Sequence, residues 1–401
     1  MKGRWSIIAL LSLIFVSCHE HYVHKTVICI PVYGQSLALG EEAKRLTNFD
    51  SLSQYASGRI VTQDLDHDFG YFDNNKMKER AKKAIRYQKR SFELSIYSMA
   101  ELLADSTGND TLICIFPGGQ GATTLANLSK GTNPYQQFIN NIATACHETR
   151  YRGWEFYVPA ICWMQGESDI VDYPPTDYQQ LLKQVWRDMN TDILCVTGQK
   201  DSIPFICYQA SSLSRAEHFR ANNFICPETN VPQTFVNLLR DNSHFWASGP
   251  TYPYSCVNEK IHIDAHGQQS IGRLAARSVL GIMRGKERNR GLIPIGTDIH
   301  DTRITIYFND TGNSLLFDTI QVNKAEHWGF SVINKENKNI VSSVLIFKNA
   351  IHINCSQAAN GCKIRYGING DYMKSGRLHG PRGNLRDAIG NWCYQFELST
   401  E

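Results

Sequence analysis

Charge of one sign is what this sequence lacks most plainly. Forty-one Lys and Arg face 38 Asp and Glu, which leaves +3 over 401 residues. So small an excess gives no case for nucleic acid or a strongly charged polymer as partner. Metal-binding patterns are missing as well. Twelve cysteines and 13 histidines form no CxxC pair and no His/Cys cluster at zinc spacing. Asp64, Asp66 and Asp68 alternate, but the glycine and closing glutamate of an EF-hand are absent, so a solvated acidic loop is expected. Pro117 to Thr124 has the glycines of a phosphate cradle without the Gly-Lys-Ser/Thr ending. No long apolar segment lies outside the strand and helix candidates, so a lipase lid has no source. No metal or organic cofactor is expected.

What is present is globular. Hydrophobic residues make up 42% and charged residues 20%, values of a folded chain rather than a disordered one. The length suggests two domains, one of them large. Lys2 and Arg4 precede an apolar run, Ser6 to Val16, too short to span a bilayer. Ser17 then stands before Cys18, as in a bacterial lipoprotein signal, with ordinary signal cleavage as the alternative. Residues 1–18 are therefore expected to be a signal segment. The mature protein would be exported, as a periplasmic or cell-surface lipoprotein meeting a membrane only through a lipid on Cys18. Cys29, Cys114, Cys162, Cys195 and Cys207 sit in apolar, strand-like runs and read as small buried hydrophobes. Setting Cys18 aside leaves an odd number, so at least one thiol is unpaired. Cys355 and Cys362 could staple a hairpin.

The stretch Val27 to Gly40 is an apolar run that stops at Gly34-Gln35-Ser36. It reads as a buried parallel strand. A serine just past such a strand lies where open α/β sheets carry their chemistry. Leu37 to Arg45 reads as a helix with the Ser36 N–H at its positive end. On the motif alone, Ser36 reads as a helix cap before it reads as a nucleophile. Further strands are expected at Asp110–Phe116, Phe156–Met164, Ile203–Gln209 and Phe245–Gly249. Helices are expected at Ser91–Leu103, Pro134–Thr149, Tyr178–Met189 (capped by Thr176) and Gly267–Met283. Thr47 to Asn75 reads as a long loop. After the charged Lys286–Arg290 the pattern changes to short alternating strands at 302–308, 314–321, 328–333, 341–348, 350–354 and 363–366, as in a small antiparallel β-sandwich. The expected division is 19–288 and 289–401. Ser375 to Asp387 reads mainly as a surface loop.

Three more segments carry candidate chemistry: Gly118-Gly-Gln-Gly-Ala-Thr-Thr-Leu125, Ile161-Cys-Trp-Met-Gln-Gly-Glu-Ser-Asp169, and Glu259-Lys-Ile-His262 followed by Gly267 and Ile271-Gly-Arg273. In this order, after Gly34-Gln35-Ser36, they resemble the SGNH (GDSL-like) hydrolase superfamily, in its carbohydrate O-acetylesterase branch of sialate O-acetylesterases and acetylxylan esterases. The resemblance covers residues 25–285. It implies a flavodoxin-like three-layer α/β/α domain with a parallel sheet, often followed by a β-rich module. It implies a serine esterase that removes O-acetyl groups from sialic acid or from plant or host polysaccharide. Ser36 would be the nucleophile and His262 the base. Glu259 would orient the base where the family commonly has aspartate. The oxyanion would meet the N–H groups of Ser36 and Gly121, with Gly119 as the alternative to Gly121, and the side chain of Gln165. Gln35, Tyr252 and Tyr254 are candidates for sugar contact, Tyr252 and Tyr254 equally for loop packing. Glu167 would hold its turn, and His266 would lie on the surface. Two other readings are a glycan-binding lipoprotein without turnover, and a glycosidase using Glu167 with Asp169 or Asp264.

Overall fold

Three apolar stretches each fold as a strand in two pieces, with Pro31, Pro117 or Pro159 at the interruption. Proline has no N–H to give a ladder, so the pairing is broken there and resumes beyond it. The computed structural model describes residues 24–62, 92–171, 177–212, 231–309 and 311–400. Cys18, Asp64, Asp66, Asp68 and Thr176 lie outside the described residues. The lower pieces are β1 (Thr26–Cys29), β4 (Thr111–Cys114) and β6 (Glu155–Tyr157), in the order β3–β4–β1–β6, with β3 (Ile60–Val61) at the edge. The upper pieces are β2 (Val32–Gly34), β5 (Pro117–Gly119) and β7 (Ile161–Met164). With β8 (Phe205–Gln209) and β9 (Phe245–Pro250) they run β5–β2–β7–β8–β9. Every pairing in these two ladders is parallel. The first strand thus lies inside the sheet, and its carboxyl end opens between β5 and β7.

Burial on both faces explains the unbroken apolar runs. Helix α1 (Ser95–Asp105) packs on α5 (Ala265–Met283). Helices α2 (Asn133–Tyr151), α3 (Tyr178–Thr197) and α4 (Val231–Asp241) pack side by side. Helix α3 runs further than its sequence suggested. Asp177 caps it by accepting from Gln180 N at 3.0 Å, and left-handed Gly198 (φ 65°) ends it. Cys195 is therefore an exposed helical residue, off the buried stripe of Leu182, Val185, Met189 and Ile193. Cys29, Cys114, Cys162 and Cys207 are buried thiols. Cys355 and Cys362 are also buried and unbridged. The loop after Thr47 contains short helical turns at Phe49–Ser51 and Ser53–Ala56 before β3.

The C-terminal region is antiparallel. Strands β10 (Pro294–His300), β11 (Arg303–Phe308), β15 (Ala350–Cys355) and β14 (Val341–Phe347) form one sheet in that order. Strands β13 (Phe330–Ile333), β16 (Lys363–Tyr366) and β18 (Phe396–Ser399) form a second. Strands β12 (Leu315–Phe317) and β17 (Leu385–Asp387) pair alone. One hydrophobic cluster runs through the parallel sheets and these. Polar bonds join the two regions at the ends of β8 and β9. Gln209 Nε2 donates to Gln395 O at 2.9 Å and Gln395 N to Gln209 Oε1 at 2.8 Å. Tyr252 Oη donates to Cys393 O at 2.8 Å, and Gly249 N donates to Tyr394 Oη at 2.8 Å.

Candidate active site

The carboxyl end of β2 is crowded by backbone, and glycine makes the crowding possible. A Cβ on Gly34 would stand 1.9 Å from Met164 O, and one on Gly119 (φ 109°) 1.8 Å from Gly34 O. Gln35 N donates to Met164 O at 3.0 Å, and Ser36 follows at the rim, 4% exposed. The segment after it is not a helix. Leu39 N bonds Gln35 O and Glu41 N bonds Ser36 O, but Gly40 and Glu42 both have φ 64°. Left-handed residues turn the chain back instead of continuing it.

That turn delivers Glu42 to His262, whose Nδ1 lies 2.7 Å from Glu42 Oε2. His262 stands on one arm of a small hairpin. Val257 N donates to His262 O at 2.7 Å and Asp264 N to Ser255 O at 2.9 Å. Its tip is Asn258–Glu259, with φ 53° and 55°, closed by Lys260 N to Val257 O at 3.1 Å. Positive φ at both central residues is the geometry of a tight hairpin turn. The acid expected at Glu259 is therefore not beside the imidazole. Three-residue spacing joins two side chains on a helical turn, whereas here it joins a hairpin tip to an arm. Glu259 instead pairs with Lys374 Nζ at 2.7 Å and with His379 Nδ1. Lys374 first, then His379, hold its carboxyl below the usual carboxylate range. Asp264 caps α5 by accepting from Gly267 N at 2.8 Å, and His266 is exposed on the first turn of that helix. Gln268 Nε2, one turn on, donates to Leu37 O at 2.9 Å and ties α5 to the serine turn.

Gly121 faces the same space. A Cβ there would come within 2.3 Å of Glu41 Oε1. Burial pushes the Glu41 carboxyl up, against a smaller downward pull from His262. The backbone N–H groups of Ser36 and Gly121 donate to no acceptor among the described residues. Gly119 lies within β5 against Gly34, one register step below this opening. Ala122, next to Gly121, has φ 50°.

The other expected site residues are framework. Gln165 is fully buried. Its Nε2 meets Gln35 Oε1 and Thr123 O, both at 3.2 Å, and Asp169 Oδ2, while Tyr178 Oη donates to its Oε1 at 2.8 Å. It fastens the loops after β2, β5 and β7 and is not open to an oxyanion. Gln35 is buried too, with Oε1 facing Ser168 N at 3.3 Å, so it clamps the turn and does not reach a sugar. Tyr252 is fully buried, bonded to Cys393 O and 3.2 Å from Tyr366 Oη. It belongs to the core, and a ring with no free face cannot stack on a sugar. Tyr254 is partly buried beside Trp392 and Tyr394. Glu167 accepts from Tyr208 Oη at 2.5 Å, its Oε1 has no partner among the described residues, and burial pushes its pKa up to about 7. Asp169 accepts from Leu125 N at 2.9 Å. Both carboxylates are buried, unlike a glycosidase pair flanking a substrate. Sequence reasoning missed Glu42, Lys374, His379 and Tyr178, and no spacing rule singles them out.

The profile of the family described as carbohydrate esterase, sialic acid-specific acetylesterase, matches residues 76–281. No curated protein matches the sequence. Among solved structures, a carbohydrate acetylesterase from Xanthomonas citri shares 14% identity, covering 93% of this chain and 81% of its own, with a TM-score of 0.62. A protein from Arabidopsis thaliana shares 14% identity over 64% of this chain and 98% of its own, with a TM-score of 0.45. NanS shares 13% over 66% and 99%, also at 0.45. The first of these likenesses is one of fold.

Proposed function

The chain belongs to the sialic acid-specific acetylesterase family of carbohydrate esterases, and from that premise we propose that it removes O-acetyl groups from a carbohydrate through an acyl-enzyme on Ser36. It is a carboxylic ester hydrolase. The observation that carries the mechanism is the pairing of His262 Nδ1 with Glu42, a residue of the turn that Ser36 begins. It leaves Nε2 to take the Ser36 proton as the hydroxyl attacks the ester carbonyl. Glu42, in place of Glu259, fixes the tautomer and stabilises the imidazolium. The N–H groups of Ser36 and Gly121 receive the developing oxyanion. Losing one such donor costs about 3 kcal/mol of barrier. Gln165 holds the two donor loops at a fixed separation. His262 then protonates the departing sugar hydroxyl, and water attacks the acyl-serine by the reverse route.

The substrate in this reading is an acetylated sialic acid or an acetylated plant or host polysaccharide. The parallel region is read as a flavodoxin-like three-layer hydrolase spanning 19–288, and 289–401 as its accessory region. Residues 1–18 are read as an export signal that leaves a lipid on Cys18, in the periplasm or at the surface of a bacterium. Hydrolysis of p-nitrophenyl acetate by Ser36→Ala and His262→Ala tests the chemistry. Each should lose about 10³-fold or more in kcat. A Ser36→Ala protein with wild-type turnover would end this reading.

A further inference from the structure

The hairpin that carries His262 is gripped from outside by a loop more than a hundred residues further along the chain. Ser375 N donates to Glu259 O at 2.9 Å and Arg377 N to Tyr254 O at 3.1 Å. Arg377 Nε reaches Ser255 Oγ at 2.9 Å. Gly376 lies flush on the hairpin, so that a Cβ there would stand 2.7 Å from Tyr254 O. At the tip, the Glu259 carboxylate takes Lys374 Nζ on one oxygen and His379 Nδ1 on the other. Glu259 and Asn258 both hold positive φ. Non-glycine residues persist there only where their surroundings over-determine them. An isolated surface pair would do little, but this one is combined with backbone bonds to the same loop.

We propose that Glu259, Lys374 and His379 form a brace that positions His262, so that the C-terminal loop is a working part of the esterase site. The carboxylate three residues before the base thus acts on it through the backbone of the hairpin, and Glu42 acts on it directly. The proposal rests on His262 being the base, as above. Val257 couples tip to histidine: its N–H donates to His262 O, and its carbonyl accepts from Lys260 N. Loosening the tip therefore moves the imidazole against a serine held by the turn after β2, and misplacement on the ångström scale is expensive in rate.

The experiment compares Glu259→Gln, Lys374→Ala/His379→Ala, Glu42→Gln and His262→Ala in the full chain. It reads kcat, KM and Tm. The brace variants should keep Tm near wild type, lose about ten- to a hundredfold in kcat and change KM by less than about twofold. Glu259→Gln combined with the double variant should be no worse than either alone, because they break one unit. Glu42→Gln should lower kcat further than Glu259→Gln, because Glu42 touches the imidazole and Glu259 acts only through the hairpin. Folded brace variants with wild-type kcat would overturn the brace. So would a Glu259→Gln loss that appears in KM rather than in kcat. If the double variant unfolds, Lys374→Met and His379→Gln, each leaving the other contact, decide by the same kcat criterion. Wild-type turnover in His262→Ala would instead overturn the esterase mechanism itself.

Discussion

Glu167 has one oxygen on Tyr208 and the other without a partner among the described residues, and it is buried. Burial raises its pKa from the ordinary carboxylate value to about 7. The folded protein therefore holds this proton more tightly than the unfolded chain does. The stability this contributes is fully present below the ordinary carboxylate range and is lost as pH rises to about 7. The loss amounts to at most about 3 kcal/mol. Urea unfolding at steps from pH 4.5 to pH 8 should show that decline, and Glu167→Gln should flatten it. Ala122 offers a change of opposite sign. Its φ of 50° strains a residue with a Cβ, so Ala122→Gly should gain about 0.5–1 kcal/mol in the same assay. At this scale the sequence was a partial guide. Ser36 does follow a strand, and His262 does precede a helix. Glu42 was invisible because its contact depends on two left-handed residues that no pattern announces. Tyr252 was ambiguous because a buried and a stacking tyrosine look alike in a string of letters.

Helices α1 and α5 meet at a glycine. A Cβ on Gly272 would stand 1.9 Å from Ser95 O, so Gly272→Ala must push the two helices apart. Overpacking of this kind costs about 1–3 kcal/mol. Because α5 also carries Gln268, which holds Leu37 O, the same variant should lower kcat beyond what its fraction folded explains. Denaturant midpoints and kcat measured on one preparation check both. Elements with a continuous apolar run or a clear stripe were legible: the parallel strands other than the two-residue β3, and α1, α2 and α5. Strands β10, β17 and β18 were not. Strand β10 is largely solvent-facing and β17 is three residues long, so neither has enough alternation to stand out. Leu37 to Arg45 has helical composition but is interrupted by Gly40 and Glu42 in left-handed conformations, and Asp192 to Val196 continues α3 because a cap and a terminal glycine bracket the whole run.

Length and the change of pattern after Arg290 suggested two domains, and the polar bonds between them complicate a clean cut. Gln209 and Gln395 exchange bonds at the end of β8, Tyr252 relies on Cys393 and Tyr366, and one hydrophobic cluster continues through both regions. A chain ending at residue 288 would leave these buried polar groups without partners, at about 1–3 kcal/mol each, and would expose apolar surface beside β8 and β9. It should be insoluble, or soluble with its near-ultraviolet circular dichroism lost, and a well-folded fragment would refute that expectation. The loop at 374–379 adds an ordering in time. Protein synthesis runs from the amino end, so the serine turn is made well before the residues that, in the proposed brace, seat its histidine. On that proposal a growing chain holds its nucleophile before it holds a seated base, and the ability to cleave esters waits until residues 374–379 have been made.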